Sequence, residues 1–315
     1  MENAIVMNDV VKEFKVLNRH EGLKGSLRDL FSRDYKTVTA VDHISINIRP
    51  GEIVGYLGPN GAGKSTTIKM MSGVLEPTSG EILVNGVVPY KNRTRNAENI
   101  GVVFGQRSKL WWSLPLIESF KLLKEIYMIP TNDYERMLEL YRELADIESL
   151  LHKPVRQMSL GQRTLSDILA AFLHNPKIVF LDEPTIGLDV SMKAKIRELI
   201  KGLNKEKNTT VILTTHDMGD VDALCQRIII IDHGSMIYDN DIEHLKHYFG
   251  SYRTLKLNLT GAGWQEIVVD ESKTDVMSVI SEYQKKGGVK DIQLEDISTE
   301  EVIKKIYEGA AERSA

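Results

Sequence analysis

The chain has 315 residues, 42% of them hydrophobic and 27% charged, enough for one large domain or two unequal ones with a full core. A net charge of −4 supplies no global basic field, so nucleic acid is not an expected partner. No apolar run approaches the ~20 residues that a membrane-crossing helix needs, and the one cysteine, Cys225, has no internal disulfide partner, which fits a reducing compartment.

Taken in chain order, the opening "MENAIVMNDVVKEF" carries acidic residues early and lacks a basic stretch ahead of an apolar block, so it reads as the start of the fold and not as a signal peptide. Next comes "KVLNRHEGLKGSLRDLFSRDYKTV" (15–38). Leu23, Leu27, Leu30 and Phe31 fall on one helical stripe there, with Lys24, Arg28 and Arg33 off it, which predicts an amphipathic helix. Five short runs are mostly apolar without alternation: "EIVGYL" (52–57), "VVF" (102–104), "KIVFLD" (177–182), "TVILTT" (210–215) and "RIIIID" (227–232). Strands buried on both faces read this way, so a parallel sheet covered by helices is expected. "EILVNGVVP" (81–89) predicts two short strands around an Asn85-Gly86 turn.

Between "VVF" and "KIVFL" the patterns are helical: "LIESFKLLKEIYMI", "DYERMLELYRELADI" and a third after "SLGQR". The fold class is therefore α/β, with a helical subdomain of about 107–172 inserted in the core. Within "FGQRSKLWWSLPLIESF" (104–120), Trp111 and Trp112 stand side by side. Neighbouring side chains diverge on a strand or a helix, so one ring is hard to bury by ordinary packing. "YRTLKLNL", "QEIVVD" and "VKDIQL" read as strands and about 274–286 and 299–309 as helices, which makes 250–315 a small α+β domain after a main domain of 1–249.

Three motifs carry chemistry. "GPNGAGKS" (58–65) matches G-x-x-x-x-G-K-[ST] between a strand and a predicted helix. Gly58, Gly61 and Gly63 let the backbone bend round a phosphate, Lys64 can reach the β- and γ-phosphates, and Ser65 can ligate Mg²⁺. "KIVFLDEP" ends a strand on Asp182, a second Mg²⁺ anchor, and Glu183, which can polarise an attacking water. "MSLGQR" (158–163) sets Ser159 and Gly161 at a helix N-terminus, a second anion cradle without a lysine. One lysine-bearing loop and one lysine-free cradle suggest that two chains share each nucleotide. Gln106 follows "VVF", Asp189 lies in "GLD" and His216 follows "TVILTT".

In this order the motifs resemble the nucleotide-binding subunit of ABC transporters over roughly residues 4–245. The resemblance implies a P-loop NTPase (RecA-like) core with an antiparallel β subdomain, and ATP and Mg²⁺ as cofactors. It implies Gly58, Pro59, Asn60, Gly61, Ala62, Gly63, Lys64, Ser65 and Thr66 as Walker A contacts, and Tyr35 as the adenine stack. Gln106 is implied as the Q-loop, near the metal; Ser159, Gly161 and Gln162 as the signature; and Ile178–Asp182 as Walker B, with Asp182 on the metal. Glu183 is the implied catalytic base, assisted by Lys64 and the switch residue His216, and Asp189 belongs to the D-loop. The usual Leu-Ser-Gly-Gly-Gln is here Met158-Ser159-Leu160-Gly161-Gln162. Ser159 and Gly161 remain, so a working site is still implied.

The C-terminal appendage, "SLGQR" and "LDEPTIGLDV" look like the daunorubicin-exporter and sodium-exporter branch, whose ATPases pair with separate multi-span permease chains. That implies ATP-driven closure of a homodimer or heterodimer at the cytoplasmic face of the membrane, and export, with the cargo left open. Polysaccharide exporters also carry an insertion near 15–38, which keeps that substrate class in view. Two readings of the insertion stand: a helix at the membrane or permease, or one packed on its own sheet. The segment after the Q-loop would line the groove for a permease helix, leaving at least one tryptophan ring exposed. Soluble relatives acting on ribosomes or DNA usually carry two cassettes or a long coiled coil, and this chain has neither.

Overall fold

The computed structural model describes residues 3–17, 35–105, 108–248 and 252–314, in two units, Met1–Asp239 and Asn240–Ala315. The first unit opens with two long strands, β1 (Ile5–Leu17) and β2 (Tyr35–Ile48). They pair antiparallel from Ile5↔Ile48 to Leu17↔Tyr35, so both ends of the segment expected as a helical insertion, 15–17 and 35–38, are strand. The apolar stripe Leu23, Leu27, Leu30 and Phe31 lies outside the described residues. β3 (Ile53–Leu57) is buried throughout and leads into α1 (Lys64–Met71). β4 (Ser79–Val84) pairs with β1 and completes the sheet β2-β1-β4. The Asn85-Gly86 turn forms, both residues at positive φ (49° and 72°) as a two-residue hairpin turn requires. The second expected strand does not: Val87 makes a single bridge to Val84. Pro89, with no N–H to donate, cannot extend the ladder.

After the short α2 (Arg93–Ala97), β5 (Ile100–Phe104) enters the main sheet. The helical subdomain follows: α3 (Leu116–Ile126), α4 (Thr131–Ala145), α5 (Glu148–Leu151) and α6 (Leu160–Phe172). The Tyr141 hydroxyl on α4 donates to the Leu169 carbonyl on α6 at 2.6 Å, so the polar end of a fully buried ring is satisfied. β6 (Ile178–Asp182), α7 (Val190–Lys207), β7 (Thr210–Thr214), α8 (Met218–Leu224), β8 (Arg227–Asp232) and β9 (Ser235–Asp241) complete the core.

The main sheet runs β5-β6-β7-β3-β8-β9, with β5 through β8 parallel. One cluster of buried side chains joins both sheets through α1: Met7, Ile44 and Ile82 from one, Tyr56, Phe180 and Ile229 from the other, Ile68 and Met71 between. Burying each such side chain contributes about 1.5–3 kcal/mol. The register sets Phe104, Asp182 and Thr214 in one row. The residues after these strands therefore emerge together at the carboxyl edge of the sheet, where ligands of such folds bind. Among the described residues no helix is long and apolar enough to cross a membrane.

The second unit holds α9 (Ile242–Tyr248), β10 (Tyr252–Leu259), β11 (Gly263–Asp270), α10 (Val276–Gly287), β12 (Val289–Asp296) and α11 (Thr299–Ser314). Its antiparallel sheet, β11-β10-β12, buries Leu255, Leu257 and Val269 against Ile280 of α10. The division at Asp239 assigns α9 to this unit, ahead of the expected start at residue 250.

Candidate functional site

The loop after β3 owes its path to two glycines. Gly61 and Gly63 have φ of 87° and 106°, a region that costs most other residues 1 kcal/mol or more. A Cβ at Gly63 would also stand 2.3 Å from the Ala40 carbonyl oxygen. No side chain caps the start of α1, and its first turn has no acidic residue, so its N–H groups stay available to an anion. Lys64 Nζ donates to the Gly58 and Pro59 carbonyls at 2.6 and 3.0 Å, which holds the ammonium over the loop. Burial lowers its pKa, and Glu183 and then Asp182 oppose that shift.

The two carboxylates face this loop. Asp182 Oδ1 accepts from Thr214 Oγ1 at 2.5 Å. Glu183 has a left-handed φ of 52°, unusual for a residue with a Cβ. Its N–H donates to the Thr214 carbonyl at 3.0 Å, so the next strand fixes the turn. His216 Nδ1 lies 2.8 Å from Glu183 Oε2. Ala40, Asn60, Gly61, Gly63, Lys64, Ser65, Thr66, Asp182 and Glu183 line one open cleft of about 290 Å³. A larger cavity of about 390 Å³ lies at the opposite strand ends, against Asn3, Pro50 and Lys177, with no glycine-rich loop or carboxylate facing it.

Behind the cleft is a group that sequence reasoning missed. Asp220, fully buried, accepts from the Thr185 hydroxyl, from Thr215 Oγ1 at 3.1 Å and from Arg197 Nε at 2.7 Å. Asp217 caps α8 through Gly219 N and pairs with Lys193. These contacts pin both segments that carry Glu183 and His216. The available signal was a buried-looking acid on α8 four residues after the histidine, which only the fold matches with Arg197.

Ser159 caps α6. Its Oγ accepts from Gln162 N at 3.2 Å while Gln162 Oε1 accepts from Ser159 N at 3.2 Å, a reciprocal capping box. Met192 covers Gly161 so closely that a Cβ there would sit 2.5 Å from its Cγ. Asp189 caps α7 through Met192 N at 2.9 Å. Ser159, Gly161, Gln162 and Asp189 do not line the cleft around Lys64, and neither does Tyr35, which is exposed on β2. Gln106 lies outside the described residues.

Trp111 is 38% and Trp112 52% exposed. Their backbone is nevertheless held: the Trp111 carbonyl accepts from Leu114 N, and the Trp112 carbonyl from Arg156 N at 2.9 Å.

The family model described as "ABC transporter" matches residues 41–186. The chain is 33% identical over 228 residues to the ABC transporter ATP-binding protein NatA of Bacillus subtilis (strain 168), covering 72% of this chain and 91% of NatA. It is 35% identical over 229 residues to ABC transporter A family member 1 of Dictyostelium discoideum, covering 73% of this chain and only 26% of that much longer protein. Among solved structures it resembles the dimeric ATP-binding cassette MJ0796 in a post-hydrolysis state with ADP and Pi. There the TM-score is 0.59 and the identity 26%, with 76% of this chain and 98% of the other covered.

Proposed function

We propose, because this chain belongs to the ABC transporter family of ATP-binding, ATP-hydrolysing proteins, that it is the motor of a transporter whose membrane path lies in separate multi-span permease chains. The observation that carries this reading is the single cleft shared by Lys64, Ser65, Asp182 and Glu183, with His216 Nδ1 2.8 Å from Glu183 Oε2.

The backbone of 58–63 and the first turn of α1 cradle the phosphates, and Lys64 places its charge against the terminal one. Ser65 and Asp182 share the cleft, and Thr214 orients Asp182, so these residues fit Mg²⁺, with Gln106 expected beside it. The ion would neutralise phosphate charge. Glu183 accepts the proton of the attacking water, and His216 holds its carboxylate in place. Tyr35 would stack on adenine.

Ser159 and Gly161 stand apart from this cleft, which supports their serving the nucleotide of a second chain, with Gln162 and Asp189 beside them. ATP then closes a head-to-tail dimer and hydrolysis reopens it. The exposed tryptophan pair is the seat for a permease helix, which puts the protein at the cytoplasmic face of the membrane, with export as the direction. The main domain does this work, and the C-terminal unit is an accessory to it. The test is purification in detergent from the native host. A multi-span protein should co-purify with the chain and stimulate its ATPase; ATPase without any such protein would remove the transport role.

A further inference from the structure

The segment 108–112 runs beside α6, and two charged side chains one turn apart on that helix hold it. Asp167 Oδ1 accepts from Ser108 Oγ at 3.0 Å and from Lys109 N at 3.1 Å. Ser108 Oγ in turn accepts from Leu110 N at 3.2 Å, which closes the turn. One turn nearer the helix start, the Arg163 guanidinium lies 5.1 Å from the centroid of the Trp112 ring. Arg163 Nε is buried and makes no hydrogen bond among the described residues, so the ring face is the contact that offsets its desolvation.

Such an arrangement is costly unless the segment is held against the helix. Burial pushes the Asp167 carboxyl up to about 6, against the bonds from Ser108 and Lys109 and the charges of Lys109 and Arg163. A solvated helix face would leave both groups in water. Here they tie the segment to α6, beside the backbone bond that Arg156 N donates to the Trp112 carbonyl. Ser159, the cap of α6, lies eight residues before Asp167 in the same helix, about 12 Å along its axis. A push on the cap reaches both side chains through continuous helical hydrogen bonds.

We propose that Arg163 and Asp167 are positioning residues that make the 108–112 segment, and with it the exposed Trp112 ring, move with α6 when nucleotide engages Ser159. This coupling rests on the reading of Ser159 as a nucleotide contact.

The test uses the full chain with Trp111→Phe and Trp264→Phe, so that Trp112 alone reports, and with Glu183→Gln to hold ATP. Iodide quenching of Trp112 is measured with and without Mg-ATP. Binding is followed by displacement of a fluorescent ATP analogue, and dimer formation by light scattering. The expected result is an ATP-dependent change in quenching that is lost in Arg163→Met and in the isosteric Asp167→Asn, and kept in Arg163→Lys. Binding and dimerisation persist in all of them. Asp167→Asn serves if Arg163→Met melts early. If ATP binds and the dimer forms but quenching does not change, or changes equally in the variants, the coupling is overturned. If ATP binds and no dimer forms, the Ser159 reading fails, and the coupling with it.

Discussion

His216 Nδ1 lies 2.8 Å from Glu183 Oε2, joining the residues that leave two adjacent strands of the main sheet. An Nδ1–H donated to Oε2 leaves Oε1 free to take a proton from water. Glu183→Gln is then expected to keep ATP binding and to lower turnover by about 10²–10⁴-fold. Single-turnover hydrolysis beside nucleotide affinity checks this. Turnover within a few-fold of the parent would remove Glu183 from the role.

Ser159→Arg should abolish hydrolysis while the isolated chain still binds ATP. In a mixed dimer of one Ser159→Arg chain and one Lys64→Ala chain, one composite site stays intact, built from Lys64 of the first and Ser159 of the second. Light scattering should show ATP-driven closure of that dimer. Binding without closure would put the shared-site arrangement in trouble.

Trp111→Ala or Trp112→Ala should leave a folded chain that binds ATP, because neither residue is buried in the core. At least one is expected to weaken permease association by about 2 kcal/mol, the scale of an interface anchor. Pull-down with detergent-solubilised permease, beside a thermal melt of the chain alone, separates this from a packing role. Lower melting temperatures with unchanged permease binding would assign the rings to the core.

Asp167 gives a pH prediction. Its folded pKa of about 6 lies above the ordinary 3.8, so the fold holds a proton there more tightly than the unfolded chain does. The group's contribution to stability is fully present below 3.8 and is lost as pH rises through about 6, a swing on the order of 3 kcal/mol. His174, lowered to about 4 by burial, runs the opposite way. Asp167→Asn removes only the first effect. Relative to the parent, the variant should become less stable as pH falls from 7 to 4, read from urea midpoints. A difference between the two proteins that stays constant with pH would count against a raised Asp167.

Much of this site could be read from the chain because its chemistry is local. Lys64 follows its glycines directly, and Asp182 and Glu183 end one apolar run, so strand, turn and helix each carry their own signal. The Asp220 cluster could not be read that way. Thr185, Arg197 and Thr215 become its partners only when α7 and α8 pack behind β6 and β7. The strand expected after Gly86 rests on the Asn85-Gly86 turn, which forms, but a turn does not extend a ladder that Pro89, without an N–H, cannot join. The two rungs between Asp167 and 108–109 join residues 58 and 59 positions apart, beyond any periodicity.

β1 and β2 are still paired at Leu17 and Tyr35. Both ends of residues 18–34 therefore leave the sheet from the same rung. Lengthening a loop between points already held together costs little, about 0.6 kcal/mol for each doubling. A change of length between those two points leaves every pairing from Ile5–Ile48 to Leu17–Tyr35 where it is. The paired strands act as a mounting post: their base is fixed by the buried cluster around α1, so what joins Leu17 to Tyr35 is uncoupled from the core.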